Sequence, residues 1–101
     1  MPMETWIGTI THFYPRAHAA TLHVELGKLK LGDTIHIVGH GVDCEEKVTS
    51  LELDHRAVPE AREGQDVGVF VTHRVHDKAD VFILEDPYKV EQGGLLAKLF
   101  K

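Results

Sequence analysis

Between Thr5 and Leu84 short segments in which apolar residues recur at every second position, separated by turn residues, dominate, and nowhere in that stretch do apolar residues hold a helical spacing. A chain patterned in this way sends alternate side chains to opposite faces, so it builds strands with one dry and one wet side. Trp6 to Tyr14, rich in Thr, Ile and aromatic residues, reads as a first strand that ends at the turn Pro15-Arg16. Ala20, Leu22 and Val24 alternate with Thr21, His23 and Glu25 in a second. The strand after Gly32-Asp33, taken as its hairpin partner, puts Ile35 and Ile37 inward and His36 outward. A fourth runs from Glu45 to Leu53, where Val48 and Leu51 are out of phase and require a bulge or sharp bend near Thr49-Ser50. Arg56 to Gln65 reads as a polar loop, and Val67, Val69 and Val71, then Val81 to Leu84, supply the fifth and sixth strands. The expectation is an all-β fold, a small closed six-stranded Greek-key-type β-barrel spanning residues 1–86, whose closure would leave no free sheet edge.

Residues 87–101 change character. Leu95, Leu96, Leu99 and Phe100 fall at helical spacing after Gly93-Gly94, which predicts a C-terminal tail able to form a short amphipathic helix, either docking to a partner or covering an end of its own barrel.

Eleven Lys and Arg against sixteen Asp and Glu leave a formal charge of −5, which argues against broad charge-driven binding of nucleic acid but leaves room for a local basic patch. Eight histidines would carry the charge through zero if all were protonated. One cysteine, Cys44, has no intramolecular disulfide partner, and no charged and apolar leader is visible, so a reducing, cytoplasmic setting is expected. No apolar run approaches the ~18 residues of a membrane-spanning helix, so no membrane partner is expected.

Chemistry has little to build on. Among His12, His18, His23, His36, His40, His55, His73 and His76 no strand-type His-x-His occurs, and His36 and His40, which have the His-x-x-x-His spacing of a helical pair, lie on a predicted strand and turn. His23 and His36, facing each other across the first hairpin, offer at most a loose surface metal site. Cys44 stands between Asp43 and Glu45-Glu46, whose charge keeps a thiol protonated. Ser50 lies within a strand without a nucleophile elbow, and Glu45-Glu46 and Glu60 with Glu63 read as solvated faces. No catalytic residue, cofactor or resident metal is expected, and the chain is not read as an enzyme.

The order of the strands carries a resemblance. Gly8, Leu29-Lys30-Leu31-Gly32-Asp33, Ile35-His36-Ile37-Val38-Gly39, Val48-Thr49-Ser50-Leu51-Glu52, then Ala61 and Gly64 ahead of Val67-Gly68-Val69, together resemble the second-domain β-barrel of the translational GTPases, the elongation factor Tu class, over about Ile7 to Ile83. No GxxxxGK followed by Ser or Thr is present, so this would be the barrel without its GTPase, and no GTP binding is expected. In that family a His-Arg pair and an Asp-Asn pair help hold the aminoacylated end of transfer RNA. His55-Arg56 and Gln65-Asp66 fall at those places here, the first displaced by one residue and the second with Asp66 where the amide would be. Similar barrels contact ribosomal RNA, act as spacers, or are appended as accessory modules to unrelated proteins, including certain collagenase-like peptidases.

The resemblance implies a non-catalytic, translation-factor-like binding module that docks to a protein or ribonucleoprotein partner. The alternatives are direct binding of transfer or ribosomal RNA and metal binding through surface histidines. Candidate RNA or partner contacts are Lys28, Lys30, His55, Arg56, Arg62, Asp66, His73 and Arg74, with Leu95, Leu96, Leu99 and Phe100 as the docking tail.

Overall fold

The computed structural model describes residues 3–85, so the tail with Leu95, Leu96, Leu99 and Phe100 lies outside the described residues. Ten strands follow one another: β1 Met3–Tyr14, β2 Ala19–Val24, β3 Lys28–Lys30, β4 Thr34–Gly39, β5 Val42–Lys47, β6 Leu51–Leu53, β7 Arg56–Ala57, β8 Glu60–Arg62, β9 Asp66–Phe70 and β10 Asp80–Glu85. The one helical piece among them is a 3-10 turn, Pro15–Ala17, opened by a proline whose fixed φ suits a first helical position. No helix among the described residues is long and apolar enough to cross a membrane.

The described residues are all-β apart from that 3-10 turn, and every strand pair among them is antiparallel. Eight strands form one sheet in the order β5-β4-β10-β1-β2-β9-β6-β7, and β3 and β8 form a separate ribbon. The expected closed six-stranded barrel is therefore corrected: among the described residues β5 and β7 are unpaired on their outer sides, and the sheet does not close through its ladders. The inward face agrees with the alternation, for Ala20, Leu22, Val24, Ile35, Ile37, Val67, Val69, Val71 and Val81 all belong to one buried cluster with Ile7, Ile10, Val48 and Leu51. Removing such side chains from water supplies about 1.5–3 kcal/mol for each large aliphatic residue.

Three local expectations are revised. The second strand and the strand after Gly32-Asp33 are not partners, because β2 pairs with β1 and β9 while β4 pairs with β10 and β5. Alternation says which face a residue takes and nothing about which strand lies beside it. The segment between them forms β3, whose Leu29 faces Ala61 of β8, both fully buried. Arg56 to Gln65 is thus not a plain loop but carries β7 and β8. The bend foreseen near Thr49-Ser50 is larger than a bulge: it splits the expected fourth strand into β5, at one edge of the sheet, and β6, next to last at the other. The crossing is secured at its start, where the Val48 N–H donates to the Asp33 carbonyl and the Val48 carbonyl accepts from Gly32.

Gly8 sits where the β1 register slips by one residue against β10, and a Cβ there would stand 1.9 Å from the His23 carbonyl oxygen. Only glycine permits β1 and β2 to approach so closely.

Candidate functional site

The outer faces of β2 and β9 and the β6–β7 hairpin frame a cleft of about 430 Å³ lined by Tyr14, Ala19, Ala20, Thr21, Glu52, Asp54, His55, Asp66 and Gly68. Leu53 pairs with Arg56, so the hairpin turn consists of Asp54 and His55 alone, both left-handed at φ 51 and φ 65. A two-residue turn with both φ positive matches the twist of the strands it joins, and Asp and His are among the few side chains that tolerate that region. This turn lifts His55 over the cleft, where Glu52, Asp54 and Asp66 supply three carboxylates. The Asp66 Oδ1 lies 2.8 Å from His23 Nδ1, whose other ring nitrogen is 3.5 Å from Glu25.

The sequence candidates fall into separate groups. His55 and Asp66 line the one cleft together. Lys28 and Lys30 stand on β3 opposite Arg62 and Glu60 of β8. Arg62 is paired with Glu60 at 2.9 Å, and the Arg62 hydrogen bond, with Lys28 and Lys30 nearby, holds the Glu60 carboxyl below its usual range. His73 and Arg74 follow β9, and the Arg74 guanidinium lies 5.7 Å from the centre of the Phe13 ring. Arg56 begins β7 and is exposed. Lys28, Lys30 and Arg62 thus share the β3–β8 ribbon with Glu60, whereas the cleft that joins His55 with Asp66 presents carboxylates to any ligand.

The histidines do not assemble a surface metal site either. His23 and His36 stand on strands separated in the sheet by β10 and β1, and each is engaged by carboxylates of its own. The rings of His40 and His76 stack at 5.4 Å but gather no third ligand among the described residues. His36 lies 2.6 Å from Asp43 and 2.9 Å from Glu4. Its pKa is raised above 6.5, first by the hydrogen bond to Asp43, with burial opposing and Glu4 adding to the rise.

One group that sequence reasoning placed in solvent is buried. Glu46, read with Glu45 as a solvated pair, is 5% exposed. Its Oε2 accepts the backbone N–H groups of Thr72 and His73, each at 2.8 Å, and lies 2.7 Å from His73 Nδ1. Cys44, two residues earlier on β5, shares its face, and the ligand atoms of Cys44, Glu46 and His73 all lie within 4.8 Å of one another. Burial pushes the Cys44 thiol up, and the charges of Glu46 and Asp43 push it further. The signal was present in the sequence: Cys44 and Glu46 are in phase with Val48, which is buried, whereas Asp43 and Glu45 are not. Tyr14, Thr21 and Glu52 of the cleft carried no such signal.

Comparison with known proteins now bears on these features. No protein-family model matches the chain. An uncharacterized protease of Methanocaldococcus jannaschii is 36% identical over 81 residues, which cover 79% of this chain and 20% of that protein, so the chain spans about one fifth of the relative's length. Among solved structures, the C-terminal domain of a Geobacillus thermoleovorans protein assigned to the U32 peptidases superposes with a TM-score of 0.72 at 15% identity, covering 78% of this chain and 91% of that domain. Its selenomethionine variant gives 0.64 at 13% identity, with 80% and 98% covered. At such identities the structural likeness concerns the fold alone.

These findings overturn the elongation-factor assignment. The sequence relative is named an uncharacterized protease and the matching fold is that of a C-terminal domain of a protein assigned to the U32 peptidases, so the similarities point away from a translation-factor module. Gly32-Asp33 and the valine strand are features of a strand-and-turn pattern, and such a pattern does not carry function with it. The translation-factor function that followed from that family falls with it, and with it goes the family support for docking to a ribonucleoprotein or binding transfer or ribosomal RNA.

Proposed function

We propose that this chain is a non-catalytic accessory domain of a proteolytic protein, and that its acidic cleft receives a basic, extended segment of polypeptide. The observation that carries this reading is the scale of the match: nearly four fifths of the chain aligns with only one fifth of a protease, the proportion of an appended module. The side chains support the same division of labour. Cys44 has its thiol pushed up rather than down, the opposite of what an attacking thiolate needs. Ser50 borders a shallow cleft with Ala17, Ala19, Glu52, Gly68, Val69 and Phe70, where no histidine stands ready as a base.

The cleft favours a cation. Glu52, Asp54 and Asp66 would repel phosphate and would attract lysine or arginine, and the exposed ring of Tyr14 offers a face on which a guanidinium can stack. The energy of such contacts depends on salt because the carboxylates are open to water.

The test uses the purified chain with fluorescent gelatin and, separately, a labelled peptide containing alternating lysines. The expected result is no gelatin cleavage, with peptide binding that weakens as salt rises and falls several-fold in the double variant Glu52→Gln, Asp54→Asn. Cleavage abolished by Cys44→Ala or Ser50→Ala would overturn the non-catalytic reading. Peptide binding indifferent to the double variant would overturn the cleft assignment.

A further inference from the structure

We infer that Cys44, Glu46 and His73 form a zinc site, with water as the fourth ligand. Three different ligating groups meet at one corner of the molecule although 27 residues separate Glu46 from His73. The strand period places Cys44 and Glu46 on one face of β5, and the turn after β9 brings His73 to them. Thiolate, imidazole and carboxylate on a tetrahedral centre, with bonds of about 2.0–2.3 Å, stand roughly 3.3–3.6 Å apart. The donor atoms here lie within 4.8 Å of one another, so small side-chain rotations bring them to an ion.

The carboxylate is already set for this role. Both backbone N–H donors and His73 Nδ1 engage Oε2, while Oε1 is met only by the Thr72 hydroxyl at 3.2 Å. A carboxylate has about four lone-pair sites, so Oε1 retains capacity for a metal while Oε2 is held by the Thr72-His73 backbone. Partners that fix a ligand in this way raise the affinity of a site. His73 is 54% exposed along its side chain and leaves the ion a path from solvent, whereas Glu46 closes the inner side at 4%.

The donor set selects zinc over calcium or magnesium, which take oxygen ligands. Binding forms the zinc–sulfur bond as the Cys44 S–H proton leaves to solvent, and His73 gives up its Nδ1–H hydrogen bond to Glu46, binding through Nδ1 with its one remaining ring proton on Nε2. The resulting thiolate and the Glu46 carboxylate together balance the two positive charges of the ion. This site differs in kind from a surface histidine cluster, since one donor is a buried carboxylate and another a half-buried thiol.

The experiment is a titration of the purified, tag-free chain under reducing conditions with cobalt(II) alone, followed by absorption, and then back-titration with zinc. One equivalent of cobalt should produce a thiolate-to-cobalt band in the near ultraviolet together with tetrahedral visible bands, and zinc should displace both. Cys44→Ser should lose the near-ultraviolet band, and His73→Ala should bind at least about tenfold more weakly. Zinc should raise the melting temperature of the native chain and not that of Cys44→Ser, whose metal-free melting serves as the control for folding. Absence of the thiolate band at excess cobalt, or a band that persists unchanged in Cys44→Ser, would overturn the site.

Discussion

Two acidic regions of this molecule use the same side chains in opposite ways. At the β6–β7 hairpin, Glu52, Asp54 and Asp66 line a cleft and face water. At the end of β5, Glu46 is withdrawn from water and spends its charge on the backbone of Thr72 and His73. A carboxylate in solvent costs little to keep and contributes little to stability, and it is free to meet a ligand. A buried one must be matched, and it then organises whatever donors match it. On the readings proposed above, the cleft serves recognition, whereas the β5 corner serves architecture and an ion.

The sharpest way to break this contrast is to remove the buried charge. Glu46→Gln keeps one carbonyl oxygen for the N–H groups of Thr72 and His73 but removes the charge that strengthens both hydrogen bonds and turns an NH2 group toward the other partners, and should cost about 2–3 kcal/mol in urea unfolding. A loss comparable with that of a surface substitution would erase the distinction between the two regions.

The outward face of the same strand provides a second probe. His36 contacts Asp43 there, and its folded pKa is raised above 6.5. A raised histidine pKa means that protonation favours the folded state, so its contribution is fully present below the unfolded pKa and is lost as pH rises through the folded value. Stability should thus fall by less than about 1 kcal/mol on passing from pH 6 to pH 8, the site being partly solvated. His36→Gln should remove that slope when unfolding is followed at both pH values.

Smaller effects are expected at the cleft. His55 is held at φ 65, and His55→Gly relieves that strain at some entropic cost, so the chain should gain roughly 0.5 kcal/mol in thermal unfolding. Destabilisation instead would mean that the imidazole is tied into the fold rather than offered to a ligand. Smallest of all, Asp54→Asn and Glu52→Gln should each leave unfolding within about 0.5 kcal/mol of the native chain. Either change exceeding that of Glu46→Gln would reverse the comparison.

Much of the fold was legible because burial leaves a local trace. The inward set of β2, β4 and β9 follows from counting every second residue, and the misfit of Val48 with Leu51 announced a bend that proved to be a change of position across the whole sheet. Glu46 was misread because its neighbour Glu45 suggested a solvated pair, although its phase with Val48 pointed inward. The pairing of His55 with Asp66 in one cleft was partly legible, since both were singled out, but on the strength of a family likeness that the protease relative displaces.

The sequence by itself determined that residues 3–85 build strands and which side chains of β2, β4 and β9 enter the core, because alternation and apolar burial are properties of a few adjacent residues. Tertiary structure alone decided that β4 lies against β10 rather than β2, that β3 and β8 stand apart as a ribbon, and that Cys44, Glu46 and His73 meet. Those outcomes depend on how distant strands compete for the same edges and share one core, and a two-residue period contains no record of that competition.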